Sequence, residues 1–298
     1  MKYTKNYITM KALFFLVMLC GAASTMAAQD IELPRVSPKA SVSYTIGFTE
    51  VKINYSAPAV KERVIWGGLV QNDKIWRGGA NEATTVEFST DVFIEGQNLH
   101  AGKYALFFIP GEKEWTVIFN KKWDQWGTSG YNEADDEIRF NVTPKMEDGS
   151  IERLSYTINE KGMDWGYIKF SWERLRLFMR FKTDVIEQAM SNIIAALGTA
   201  APEKKWEIYA EGAQFLIDAN GNMDQALEWA KLSTDQLSCS RSWYVRAKVE
   251  AKKGDMSAAV ASGTKCAEIG LADEADHYYE DNKAEINAAI QGWAAKMN

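Results

Sequence analysis

The chain has 298 residues, 46% hydrophobic and 25% charged, a size and balance that fit two ordinary domains and exclude a low-complexity disordered polymer. Its formal charge of -6 argues against a nucleic-acid binder, whose affinity is built from clustered Lys and Arg. Only His100 and His277 are histidines, so zinc sites and catalytic schemes built on several imidazoles are excluded, and no cofactor is implied.

Lys2, Lys5 and Lys11 precede the apolar run Ala12 to Ala23, the order of a secretory signal peptide, and Thr25 and Ala27 are small where a cut after Ala27 needs them. Residues 1–28 therefore read as a signal peptide, and the mature chain as exported, periplasmic or secreted, with no transmembrane segment. Lipid attachment at Cys20 is disfavoured, because Leu19 stands where Gly, Ala or Ser is wanted. Loss of the three lysines leaves a more acidic mature chain.

Residues 29–182 read as a β-sandwich domain. Val42, Tyr44 and Ile46 alternate, as do Val51, Ile53 and Tyr55; Trp115, Val117 and Phe119; Ile138, Phe140 and Val142; and Leu154, Tyr156 and Ile158. Period two marks strands with one face in a core. Residues 104–109 are apolar on both parities, as in a central strand covered on both faces. Pro110-Gly111-Glu112 and Glu147-Asp148-Gly149-Ser150 read as hairpin connections. The apolar phase flips between Trp172 and Leu175, so a bulge or a tight turn is expected near Glu173.

Residues 183–298 change to helical spacing, giving an α+β fold with the β-sandwich first and an all-α region second. Ile186, Met190, Ile193, Ile194 and Leu197 form a stripe introduced by Asp184 with Glu187 three residues later, a capping-box pattern. Pro202 is placed to start another helix. Gly221-Asn222-Met223-Asp224-Gln225-Ala226 recurs as Gly254-Asp255-Met256-Ser257-Ala258-Ala259 at an offset of 33, a spacing similar to tetratricopeptide repeats. Such helix pairs serve as structural support or as a groove for a protein partner. Cys239 and Cys266 fall at helix ends that could meet, so a disulfide and two free thiols both stay open.

Several motif matches carry no chemistry. The Gly96 to Lys103 stretch has the wrong glycine spacing for a phosphate loop; Ser262 to Lys265 lacks the companion motifs of penicillin-recognising enzymes; and Met223 and Trp229 occupy essential positions of a calcium loop. Two segments stand out instead. In residues 65–84, Trp66, Trp76, Arg77, Asn81 and Glu82 are interleaved with glycines, and in residues 123–132, Asp124, Trp126 and Tyr131 lie close together. Aromatic faces beside such polar groups suit a glycan or peptide ligand. The structural alternative is that Arg77 pairs with Glu82, Asn81 holds a turn and the tryptophans fill the sandwich.

From about 36 to 182 the chain resembles the domain-of-unknown-function family 2911. The likeness is carried by Ser37-Pro38-Lys39-Ala40, Tyr55-Ser56-Ala57-Pro58, Ile65-Trp66-Gly67-Gly68-Leu69-Val70, Trp76-Arg77, Gly79 to Thr84, Ala101-Gly102-Lys103-Tyr104, Ile109-Pro110-Gly111-Glu112, Glu114 to Ile118 and Gln125-Trp126-Gly127. It implies an exported all-β domain, sometimes followed by helical repeats, and brings no activity with it. The expected function is non-catalytic binding, with the β domain holding a polar ligand and the helices meeting a protein partner. A hydrolase using Glu82 and Asp124 is the alternative, and a scaffold without ligand is a third.

Overall fold

The computed structural model describes residues 33–273 and 276–297, so the expected signal peptide lies outside the described residues. Among the described residues ten strands precede six α-helices: β1 Lys39–Ile46, β2 Thr49–Ser56, β3 Thr85–Phe88, β4 Val92–Ile94, β5 Gln97–Leu99, β6 Gly102–Ile109, β7 Trp115–Asn120, β8 Asp136–Val142, β9 Lys145–Gly162 and β10 Trp165–Thr183. The helices are α1 Val185–Thr199, α2 Lys205–Asp218, α3 Met223–Gln236, α4 Ser240–Lys252, α5 Met256–Ala272 and α6 His277–Ala295. None among the described residues is long and apolar enough to cross a membrane.

The strands form two antiparallel sheets, one in the order β1-β2-β3-β6-β7-β8 and one in the order β5-β4-β10-β9. Alternate residues of both meet in one core, which includes Val51, Ile53, Leu106, Val117, Phe170 and Leu177. Strand β6 is covered on both faces. Tyr104, Leu106 and Phe108 enter that core, while Ala105 and Phe107 join a smaller cluster on the other side with Ala83 and Ile118.

Of the bulge or tight turn expected near Glu173, the structure shows the bulge, with register shifts on either side of that residue and a φ of 51° there. One expected turn is absent. Residues 147–150 lie inside β9, and the β8 to β9 connection falls at Thr143-Pro144. The reason is Arg176, which is buried and reaches across from β10. Its Nη2 donates to Gly149 O at 2.7 Å and its Nε lies 3.1 Å from Glu147 Oε2, so the polar stretch, which has no partners in the β10 register, is held against β10 by a residue distant in sequence.

Four of the described helices start where an Asp or Asn side chain caps them. Asp184 Oδ1 accepts from Glu187 N, Asn222 from Asp224 N and Gln225 N, Asp255 from Ala258 N and Asp276 from Tyr279 N. Asn222 and Asp255 are the repeated fragments, so both copies initiate a helix in the same way. Pro202 begins a 3-10 turn that leads into α2. The stripe expected on α1 is displaced: Val185 and Ala189 are its buried residues, Met190 and Ile193 pack at the edge of the helical core, and Ile194 is exposed. Cys239 and Cys266 stand as free thiols in this structure.

Candidate functional site

Strand register lays a polar floor on the face of the larger sheet away from the core. Ser41 of β1 is opposite Asn54 of β2, which is opposite Thr85 of β3, and an alternating strand turns all three to the same side. Above this floor the loop after β7 folds back. Ala83 N donates to Gln125 O at 2.9 Å, Gly127 N donates to Asn81 O at 3.1 Å, and Glu82 bridges Trp126 in antiparallel fashion. The two segments singled out in the sequence are therefore paired, and beside them opens a groove of about 440 Å3.

Charged and aromatic side chains rim that groove. Glu82 and Asp124 both line it, as do Lys39, Lys103, Tyr55 and Trp123. Lys39 Nζ lies 3.8 Å from Glu82 Oε1, with side-chain exposures of 70% and 41%. Lys103 Nζ sits 3.9 Å above the centre of the Trp123 ring, a cation on the negative face of an indole. The loop is held from beneath by buried amides. Gln125 Nε2 donates to Asn120 Oδ1 at 3.2 Å and to Lys122 O, while Asn120 Nδ2 donates to Asp136 Oδ1 at 2.8 Å. The rim is thus carried on a fixed loop.

The remaining residues of the expected site go elsewhere. Trp76 lies within an aromatic core with Trp115, Phe170 and Trp172, and Trp66, partly buried, packs its ring edge against the same group, where its Nε1 donates to Glu173 Oε2 at 3.1 Å. Tyr131 packs its ring on Phe107 and donates to Asp136 Oδ2 at 2.8 Å; burial, with that carboxylate, pushes its pKa up to about 12. Arg77 is half-buried, burial lowers its pKa, and its Nε has no hydrogen-bond partner. It makes no ion pair among the described residues, so the expected pairing with Glu82 is absent. Asn81 holds a turn at φ 58°. Trp126 is 63% exposed on the outer side of the bridge to Glu82.

Gly78 and Gly79 let the backbone approach the protein itself rather than a ligand. A Cβ on Gly78 would stand 2.6 Å from the Tyr156 hydroxyl, and one on Gly79 would stand 2.9 Å from Thr84 Oγ1. Sequence reasoning missed Lys39, Ser41, Asn54 and Lys103 as members of the groove. Lys39 and Lys103 do fall within the islands that carry the family resemblance, which is the signal that could have found them.

Residues 37–181 match the profile of the family described as Protein of unknown function (DUF2911). That span covers nearly all of the two sheets and every residue named in the groove. No curated protein and no solved structure shows a match.

Proposed function

We propose that this is an exported binding protein whose β region holds a polar ligand, best a glycan, in the groove over β1, β2 and β3, and whose helical region meets a protein partner. The observation that carries the reading is the composition of the groove. Short hydroxyl and amide side chains form its floor, carboxylates and ammonium groups of both signs form its rim, and Trp123, 42% exposed, offers ring surface. A sugar needs this set: directional partners for hydroxyls and a flat apolar face for its C–H groups. Export is supported by the lysine-led apolar start and the small residues before Ala28.

Titration of a glycan array tests the ligand. With a glycan found, Glu82→Gln should weaken binding by about 1–3 kcal/mol, the scale of a charge-assisted hydrogen bond, and Trp123→Ala by a similar amount. The melting temperature should hardly move, because an ion pair this exposed contributes at most about 1 kcal/mol. A fall in melting temperature with no glycan retained would favour the scaffold. Intact mass tests export: the native chain should start near Ala28 or Gln29, and a diacylglycerol mass at Cys20 would refute the soluble form.

A hydrolase draws on the same groove, since Glu82 and Asp124 line it together. Asp124 is exposed and Glu82 lies beside the Lys39 ammonium, whereas a general acid needs apolar surroundings to hold its proton near neutral pH. Reducing-sugar release that Glu82→Gln and Asp124→Asn each abolish, with binding retained, would establish catalysis.

A further inference from the structure

A second cleft, of about 480 Å3, opens in the helical region and is lined from α2, α4 and α6. Lys248 of α4 lies in its wall. The ammonium sits 4.6 Å from the centre of the Tyr244 ring and has no ion pair or hydrogen bond among the described residues. Burial lowers its pKa in spite of the opposing pull of Glu285 and Asp218, so its charge is held where water reaches it poorly. The other cation of the cleft is already engaged: Arg241 Nη1 donates to Glu207 Oε1 at 3.0 Å and Nη2 to Glu211 Oε1 at 3.1 Å.

Tyr278 supplies a hydroxyl to the same cleft. Burial pushes its pKa up to about 12, so it keeps its proton as a donor, and that hydroxyl makes no hydrogen bond among the described residues. Phe215 and Val245 give the cleft an apolar wall. One unpaired cation, one free O–H donor and adjoining apolar surface complement a single carboxylate beside an apolar side chain.

We propose that this cleft binds an acidic peptide segment of a partner protein, with one Asp or Glu carboxylate on Lys248 and Tyr278 and a neighbouring apolar side chain against Phe215 and Val245. A phosphate is the poorer fit, because Glu211 and Asp218 also line the cleft and repel a dianion more than a single carboxylate. The inference rests on reading the helical region as a protein-facing surface, and supplies the chemistry of what it meets.

A phage-displayed random heptapeptide library panned against the full mature chain tests it. Recovered peptides should share Asp or Glu next to an apolar residue. A synthetic copy should lose about tenfold or more in affinity for the Lys248→Met variant and stay within about threefold for Lys248→Arg, the ranges expected for a charge pair removed and kept. Replacing the peptide's acid with its amide should cause the same loss, with no further loss on Lys248→Met. Circular dichroism confirms that each variant folds; should Lys248→Met fail to fold, Tyr278→Phe takes its place with an expected loss of about threefold. Peptides without an acid, affinity indifferent to these changes, or tighter binding of a phosphoserine version would each overturn the carboxylate site. If such peptides still cross-link to α2–α6, the protein-facing reading survives that failure; recovery of no peptide overturns both.

Discussion

The thiol of Cys266 is wholly buried in a cluster with Tyr244, Tyr279 and Ile286, and burial pushes its pKa from 9 up to about 12. Cys239, at the start of α4, is only half-buried. Since the thiolate is the reactive form, iodoacetamide should label Cys239 in the native protein and reach Cys266 only after denaturation; labelling of neither without reductant would show that the two are bonded after all. The same shift affects stability in one direction. Above pH 9 the unfolded chain releases a proton that the folded chain still holds, so the Cys266 contribution is complete below pH 9 and declines as pH rises toward 12. Neither consequence is visible in residue identity, because burial belongs to neighbours distant in the chain. Gly78 is similar: it lies in a segment singled out as a candidate ligand site, yet its partners are the ring of Phe108 and the hydroxyl of Tyr156, which donates to Gly78 O at 2.7 Å.

At the scale of elements, the β9–β10 pair depends on one buried cation. Arg176 is 3% exposed, and besides Gly149 O and Glu147 it donates through Nη1 to Glu173 O and Leu175 O, both at 3.0 Å. These carbonyls belong to the bulge and to the polar stretch opposite, so the guanidinium satisfies groups the ladder leaves unpaired. Arg176→Met keeps the stem and strands the carbonyls; it should destabilise the fold by about 3 kcal/mol and speed amide exchange first in residues 147–151 and 171–175. Uniform exchange along the hairpin in that variant would mean that the bulge holds itself. The bulge was legible because an alternating apolar pattern changed phase at Glu173. Strands β3, β4 and β5 were not, since four, three and three residues are too few for alternation to rise above chance.

At the scale of the whole molecule, the helical region has its own caps and its own apolar clusters around Ala213, Trp229 and Val249 and around Tyr244 and Ile286. Its first helix meets the β region where Val185 packs on Gly47, at which a Cβ would stand 2.2 Å from Val185 Cγ2. Caps and cores inside one segment are what independent folding requires, so a fragment of residues 183–298 should give a helical circular dichroism spectrum and a cooperative melt. A coil spectrum would place the boundary elsewhere and make the Val185 contact part of a shared core.

The order of strands then helices, the phase change at Glu173 and the capped start at Asp184 were determined by the sequence alone, because each rests on spacing within a few residues, where backbone geometry fixes which side chains share a face. The groove was decided only by tertiary structure. Its floor comes from three strands and its rim from segments near residues 39, 82, 103 and 124, brought together by strand register and by the pairing of residues 81–83 with 125–127. The same assembly put Trp76 inside and packed Trp66 against the core, since a tryptophan's large apolar surface suits a core as well as a binding face and its surroundings alone choose between them.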